Sequence, residues 1–127
     1  MGVPKEEILK ATKGMLQKQV YVVFTTPTNG IGPVMENLEE HLKFQVAIEK
    51  SGIMVAAGPN WTDDEKNWDG DGMVVIRASS LEEAKSIAAS DPMHKSGARS
   101  FKVRPWLMNE GVMKLTISFS DKSMRLD

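Results

Sequence analysis

The sequence predicts an α+β fold whose core has the element order βαββαβ. Short runs of β-branched and aromatic residues, typical of strands, alternate with segments whose apolar residues recur every three to four positions, typical of helices. Clusters of Gly, Pro, Asn and Asp separate these segments and favour turns. The chain has 127 residues, so we expect one domain over 1–127 with its core at about 19–107.

In the first half of the chain, a proline precedes a predicted short helix over Lys5–Lys18. Gln19–Thr25 is rich in Val, Tyr and Phe and predicts the first core strand. A loop dense in turn residues leads to a helix over about Val34–Ser51, which Gly52 ends. Ile53–Ala57 predicts the second core strand.

In the second half, Asn60–Gly72 is a polar, acidic loop that contains two tryptophans. Met73–Ala78 predicts a strand, and the helix Leu81–Ala89 follows, preceded by the serine of a capping box. An Asp-Pro pair ends this helix. Ala98–Leu107 predicts the fourth core strand, and the alternating segment Leu115–Phe119 a fifth strand beyond the core.

This order indicates a ferredoxin-like fold, an antiparallel sheet with both helices on one face. Ile53–Ala57 and Met73–Ala78 carry apolar residues on both faces of the sheet. In a sheet with one solvent-exposed face, apolar and polar residues should alternate along each strand. We therefore expect a second copy of the chain to cover the open face, giving a homodimer or higher homo-oligomer of the dimeric α+β barrel type. Such a barrel leaves room for a cavity between sheet and helices, and the fifth strand is a candidate to cross to the partner.

Composition and motifs exclude several functions. Lys plus Arg is 16 and Asp plus Glu is 17, without a basic run, so we expect no nucleic-acid or membrane partner. The absence of cysteine excludes thiolate nucleophiles. The chain has no nucleophile elbow, and with no phosphate loop or dinucleotide fingerprint we expect no cofactor. A metal site made of His41, Asp91 and His94 is the alternative, but their spacing matches no standard ligand pattern, so we expect no metal. The first residues do not resemble a secretory signal, so we expect a cytoplasmic protein.

His41 is the most informative side chain of the sequence. Val34, Leu38, His41, Gln45 and Ile48 share one helix stripe, so this imidazole occupies an otherwise largely apolar wall. A neutral histidine in such a place suits proton transfer. The alternative is a core histidine that makes one hydrogen bond and has no function.

Asp91 is the candidate partner of His41. It is expected at the C-terminal end of the helix Leu81–Ala89, where the helix dipole disfavours a negative charge. A carboxylate that held one imidazole nitrogen would leave the other free as a base. Alternatively, Asp91 only starts the Asp-Pro turn, or it pairs with His94 instead of His41, and His94 itself is otherwise an exposed loop residue.

The residues at these positions resemble the YCII-related domain family. The similarity runs from about Tyr21 to Trp106, and departs from the family in the loop Asn60–Gly72 and in the C-terminal extension. The resemblance implies a dimeric ferredoxin-like barrel with a pocket that holds a His–Asp pair, here His41 and Asp91. The superfamily includes muconolactone isomerase-like enzymes and a dehydrochlorinase that acts on chlorinated hydroxyhydroquinone. The matching segments are His41-Leu42, Glu49–Pro59, Ala78–Ala84, Asp91-Pro92-Met93, Gly97 and Val103–Trp106.

Further residues are candidates for contact with a substrate. A tryptophan in a polar loop either anchors the loop or stacks on a flat ligand, and we expect at least one of Trp61 and Trp68 to be an anchor. Arg99 and Arg104 are candidates to hold an anionic or phenolic oxygen, or are surface residues. The predicted substrate-binding residues are Gly58, Pro59, Trp61, His94, Arg99 and Trp106.

Three functions follow from these observations. The leading hypothesis is an enzyme that moves a proton without a cofactor, by elimination or isomerisation, on a small ring such as a chlorinated hydroxyquinol. His41 would be the base and Asp91 would orient it. The second is a module that binds a small acid or phenol without turnover, and the third is a domain whose only role is its dimer interface.

Overall fold

The computed structural model describes residues 1–127 and contains two compact units. The larger unit is Gln19–Leu107, and the smaller unit combines Met1–Lys18 with Met108–Asp127. In chain order the elements are α1 Lys5–Ala11, β1 Lys18–Pro27, α2 Ile31–Glu36, α3 Leu38–Lys50, β2 Met54–Pro59, β3 Gly72–Ile76, α4 Leu81–Ala89, α5 Pro92–Lys95, β4 Arg99–Met108, β5 Leu115–Ile117 and β6 Met124–Leu126.

The larger unit contains a four-stranded antiparallel sheet in the order β2-β3-β1-β4. β1 pairs with β3 from Tyr21 opposite Ile76 to Thr25 opposite Gly72. β2 pairs with the other edge of β3, with an irregularity in register between Met54 and Ala56. This topology confirms the predicted α+β, ferredoxin-like fold.

The core lies between the sheet and the helices. Alternate residues of β1 and β3 point inward, as the period of two in a strand requires. They pack against the inner faces of α3 and α4, which contribute Ile48, Ala84 and Ala88. The buried cluster consists of Tyr21, Val23, Ile48, Val74, Ile76, Ala84, Ala88 and Val103.

The predicted single helix over Val34–Ser51 is wrong in one respect, because the structure has two helices, α2 and α3, that meet at Asn37. The Asn37 side-chain amide donates to the Pro33 carbonyl at 2.8 Å, which is the local competition with the backbone that disfavours asparagine within helices. The inward stripe survives the break, since Val34, His41 and Ile48 are all buried. His41 therefore still faces the core.

The predicted cap of α4 is present. Ser80 Oγ accepts from the Glu83 N–H at 3.1 Å. The Glu83 carboxylate, however, accepts from the Ser79 N–H at 3.2 Å instead of from the Ser80 N–H of a standard capping box. The helix begins where the sequence predicts.

The smaller unit differs from the prediction at two points. α1 ends at Ala11 instead of Lys18, and the chain then passes through Gly14 at φ 96°, a backbone conformation that glycine favours. The predicted fifth strand is shorter than expected, Leu115–Ile117, and one of its edges pairs with β6 of the same chain, with Leu115 opposite Leu126.

The helices are short throughout the chain. The longest, α3, has 13 residues, whereas about 20 are needed to cross the hydrocarbon core of a bilayer. No helix of the protein has the length and apolar character of a membrane span.

Candidate active site

A cavity of about 440 Å³ lies in the larger unit against α3, β2 and β3. This volume is within the range of roughly 300–1,000 Å³ that is usual for small-molecule sites. Most of its wall is apolar and includes Leu38, Leu42, Val46, Met54, Ala57, Met73 and Val74. The polar side chains on the wall are Thr25, His41, Gln45, Glu49, Asp71 and Arg99.

His41 lies on the inward face of α3 and is 8% exposed. Its Nδ1 is 2.9 Å from Asp91 Oδ1 and 2.8 Å from Asp91 Oδ2. A carboxylate only accepts hydrogen bonds, so a neutral His41 carries its proton on Nδ1. Nε2 has no hydrogen-bond partner within the protein, and its lone pair is available to a molecule in the cavity.

Asp91 is 4% exposed and lies at the C-terminal end of α4, where the sequence predicts it, with its N–H donating to the Ala88 carbonyl at 3.2 Å. It is the N-cap of α5, where its Oδ1 accepts from the Met93 N–H at 2.8 Å. A negative charge is favoured at a helix N-terminus, so α5, which the sequence did not predict, offsets the unfavourable position of Asp91 at the end of α4. Burial by itself raises the pKa of Asp91, but the hydrogen bonds from His41 and Met93 outweigh it and hold the pKa below its usual value.

His94 does not replace His41 as the partner of Asp91, and it is not an exposed loop residue. Its Nδ1 donates to the Ala88 carbonyl at 2.6 Å, and its Nε2 is 2.7 Å from Thr25 Oγ1. Burial lowers the pKa of His94, which favours the neutral ring with Nε2 as acceptor for the Thr25 hydroxyl. His94 therefore lies behind Thr25, outside the cavity wall, and both of its nitrogens are engaged.

Arg99 begins β4 and is 5% exposed, so it is not the surface arginine that the sequence left open. Its Nε donates to the Gly70 carbonyl at 2.7 Å. Its guanidinium carbon lies 5.7 Å from the centre of the Trp68 ring, in a cation–π arrangement. Burial lowers the pKa of Arg99, and the charges of Asp91 and Asp71 act in the opposite direction.

The two tryptophans of the loop have different surroundings. Trp68 packs on the buried cluster of Val34, Met93 and Ala98, and its Nε1 donates to the Asp71 carbonyl at 2.8 Å. Trp61 also lines the cavity but is 63% exposed. Trp68 is thus the anchor, and Trp61 is free to meet a flat ligand. No three His, Asp or Glu side chains of the chain lie together as metal ligands.

The structure brings some of the predicted substrate-binding residues together and separates others. Gly58, Pro59, Trp61 and Arg99 line the cavity with His41. Trp106 does not, because it follows Arg99 by seven positions on β4, and about 3.3 Å per residue places it roughly 23 Å away. Arg104 is exposed and outside the cavity as well.

Two polar residues of the cavity wall, Thr25 and Gln45, were not among the site residues predicted from the sequence. Thr25 is buried on the inward side of β1, in line with Tyr21 and Val23, and its period of two could have revealed it. Gln45 follows His41 by one helical turn and its Nε2 lies 3.5 Å from Asp91 Oδ2. Its Oε1 is buried without a hydrogen-bond partner. Gln45 belongs to the same helix stripe as His41, so the spacing that identified His41 could also have identified Gln45.

This arrangement has the parts that acid–base chemistry requires. A carboxylate fixes the tautomer and the plane of an imidazole, the second imidazole nitrogen is free at a cavity wall, and a cation lines the same cavity. The Thr25 hydroxyl lies on the same wall and donates to His94 Nε2 at 2.7 Å, while His94 Nδ1 donates to the Ala88 carbonyl.

Comparison with known proteins gives a family and a fold. The profile of the YCII-related domain matches residues 19–107. A solved structure of 5-chloro-2-hydroxyhydroquinone dehydrochlorinase from Burkholderia phenoliruptrix AC1100, in complex with 2,5-dihydroxybenzoquinone, is similar with a TM-score of 0.53 and 18% sequence identity. The similarity covers 68% of this chain and 92% of the other. At this identity the likeness shows the fold alone.

A search of curated proteins gave no match. The matched range 19–107 has the same limits as the larger compact unit, which contains the His41–Asp91 pair and the whole cavity. It leaves out the smaller unit, in agreement with the extension at which the sequence departs from the family. The family match covers well over half of the chain, and the chain therefore belongs to the YCII-related domain family.

Proposed function

We propose that this protein is an enzyme that moves a proton on a small ring substrate without a cofactor, with His41 as the base. The observation that carries the proposal is the free Nε2 of His41 at the cavity wall, with Nδ1 held 2.8 Å from Asp91. A purely structural histidine has no need of a bidentate carboxylate behind it and an open cavity in front.

The reaction is an elimination or an isomerisation. His41 Nε2 accepts a proton from an O–H or C–H of the ring, and the electron pair of that bond moves into the conjugated system. An elimination starts from the keto tautomer of the ring, in which the carbon that carries chlorine has also gained a hydrogen. His41 removes the proton of a hydroxyl conjugated with that carbon, the O–H pair forms a C=O bond, the ring double bond shifts, and chloride leaves with the C–Cl pair, so HCl is lost overall. In an isomerisation His41 returns the proton to another position of the ring. Asp91 stabilises the imidazolium that forms between the two proton transfers.

The substrate class that fits is a small hydroxylated ring such as a chlorinated hydroxyquinol. Apolar side chains make up most of the wall, and Trp61 at the cavity offers a face for stacking. Gly58 and Pro59, at the end of β2, also line the cavity and present little side chain to a ring. The similar dehydrochlorinase, whose name refers to such a compound, supports the choice of substrates for a first assay.

A homodimer completes this proposal. Phe24 and Met73 are opposite each other on neighbouring strands, on the sheet face away from the core, and each is 39% exposed. Trp106 on β4 is exposed too. A second sheet packed on this apolar face would remove it from water, which is the arrangement of a dimeric α+β barrel. Light scattering that gives the mass of one chain would contradict this part of the proposal.

The test is chloride release and ring absorbance with chlorinated and unchlorinated hydroxyquinols. His41→Gln should lower kcat/KM by roughly 10²–10⁴-fold, the usual contribution of a positioned base. Glu40→Gln is the matched control, since Glu40 precedes His41 on α3 but is exposed and paired only with Lys43. Turnover by His41→Gln at the rate of the control would contradict the proposal.

The same assay separates the enzyme from a binding module. A module would use the same cavity but would only bind the ring. Calorimetry that shows tight binding of these compounds to the unaltered protein, together with no turnover of any of them, would favour the module.

A further inference from the structure

Arg99 is a buried cation without a counter-ion. Its side chain is almost completely removed from solvent, and its only hydrogen bond within the protein is from Nε to the Gly70 carbonyl at 2.7 Å. No carboxylate forms an ion pair with Arg99, which takes part in none of the ion pairs of the chain. Buried charges are ordinarily paired, and the terminal nitrogens of this guanidinium make no hydrogen bond within the protein. They are not among the protein's fully enclosed polar atoms, so they can take a partner from the cavity that Arg99 lines.

The guanidinium is also held in place. Gly70, whose carbonyl receives Nε, has φ 99°, and a Cβ at this position would lie 2.9 Å from Pro27 Cγ, so the loop packs closely here. Trp68 covers the guanidinium from one side and is itself tied to the Asp71 carbonyl. A donor fixed before the reaction can stabilise charge without the cost of reorganisation.

The carboxylates near Arg99 are bonded to other groups, so an anion in the cavity could bind its guanidinium. Asp91 is engaged with His41 and Met93, and the Asp71 carboxylate accepts from the Asn60 amide at 3.1 Å. Both carboxylates influence the pKa of Arg99 through their charge but do not bond to it. The other ionisable groups at the cavity are His41 and Glu49, with His94 behind Thr25.

We propose that Arg99 binds the ring oxygen on which negative charge develops when His41 removes the proton. This inference rests on the proposed function and deepens it. The proton moves from the substrate to His41 Nε2, and the electron pair left behind is delocalised onto the oxygen at Arg99 as a phenolate or enolate. The substrates are therefore phenols and enolisable cyclic ketones, and rings without an oxygen that can take up this charge are excluded.

The test uses 4-nitrophenol and its methyl- and hydroxyl-substituted forms, whose ionised state absorbs visible light. The absorbance of the bound probe is titrated with pH for the unaltered protein, Arg99→Gln and Arg104→Gln. The last is the matched control, because Arg104 lies on the same strand but is exposed and outside the cavity. A cation in contact with an acidic group typically lowers the pKa of that group by 1–3 units.

The expected result is that the unaltered protein and Arg104→Gln bind the phenolate at least about tenfold more tightly than the neutral phenol. Arg99→Gln should lose this preference. Arg99→Lys keeps the charge and should retain part of it, and this variant serves if Arg99→Gln does not fold. A preference that is unchanged in Arg99→Gln, or no binding of any probe by the unaltered protein, would overturn the inference.

A second variant distinguishes this failure from failure of the proposed function. His41→Gln removes the base but leaves Arg99, so the phenolate preference should persist in it. If His41→Gln turns over substrate normally while the preference depends on Arg99, the base assignment is wrong and the anion site stands. If the preference instead depends on His41, the assignment to Arg99 is wrong.

Discussion

Asp91→Asn tests the central pair of the site with almost no change in shape. Asp91 Oδ1 accepts from the Met93 N–H at 2.8 Å, so the amide oxygen introduced by the substitution should take that position. The amide nitrogen then occupies the place of Oδ2, which is 2.8 Å from His41 Nδ1. Because an amide nitrogen donates, it forces His41 to accept at Nδ1 and to carry its proton on Nε2.

The structure sets the size of two effects. A protonated Nε2 cannot act as a base, so we expect kcat/KM to fall by roughly 10²–10⁴-fold. A charge-assisted hydrogen bond of about 1.5–3 kcal/mol is replaced by a neutral one of about 0.5–1.5 kcal/mol, so the free energy of unfolding should fall by about 1–2 kcal/mol. For a chain of this length that corresponds to a decrease in Tm of roughly 3–10 °C.

The pH dependence has a definite sign. The folded protein holds the pKa of Asp91 below the ordinary value of 3.8, so its stabilising contribution is complete well above pH 3.8. It is lost as the pH falls through the lower pKa of the folded state. Urea unfolding should therefore show that the difference between the unaltered protein and Asp91→Asn is largest near neutral pH and shrinks in acid.

The direct assay is nitrogen NMR of the imidazoles, which is simple because the chain has only 2 histidines. In the neutral form of each ring, both should carry the proton on Nδ1 in the unaltered protein, and in Asp91→Asn only His94 should do so. His41→Gln assigns the signals. If His41 keeps its proton on Nδ1 in Asp91→Asn and stability changes by less than about 0.5 kcal/mol, the carboxylate does not set the tautomer and the reasoning fails.

Three further predictions concern stability. The folded protein holds the pKa of His94 below the ordinary 6.5, so its free energy of unfolding should fall more than that of His94→Gln as the pH falls from 7.5 to 5.5. Urea denaturation at each pH measures this, and an equal fall in both proteins would refute it. Gly70→Ala should lower the free energy of unfolding, measured in urea, by about 1–3 kcal/mol more than Gly97→Ala. Both glycines have positive φ, but only Gly70 lacks room for a Cβ, and equal losses in the two variants would contradict this. Ser80→Ala removes the cap of α4 and should lower the free energy of unfolding by about 1 kcal/mol, whereas Ser80→Thr should not.

The fold was predictable because its signals are local. The run of β-branched and aromatic residues in β1 and the capping serine of α4 involve residues that are close in sequence, and both elements form as predicted. The helix break at Asn37 was missed because the apolar stripe continues across it, so the hydrophobic pattern carried no sign of the break. The end of α1 was missed for a similar reason, since weak apolar periodicity extends beyond Ala11.

For the site, the sequence singled out His41 by its position on an apolar stripe, and Asp91 by its place at the end of α4, but it gave no sign that Asp91 also caps α5. The two meet because Asp91 begins α5 and the sheet brings α5 beside α3. Thr25 could have been found from its place in β1, but its bond to His94 could not, because it joins residues 69 positions apart.

The sequence by itself determined the order of the four core strands and the two main helices between them, and the presence of a polar group in an apolar wall, because these follow from periods of 2 and 3.6 residues. Only the tertiary structure decided that Arg99 is buried and unpaired, that Trp68 anchors while Trp61 is exposed, and that Trp106 lies far from the cavity. The reason is physical: burial and pairing depend on which distant segments the fold brings together, and a local pattern contains no information about them.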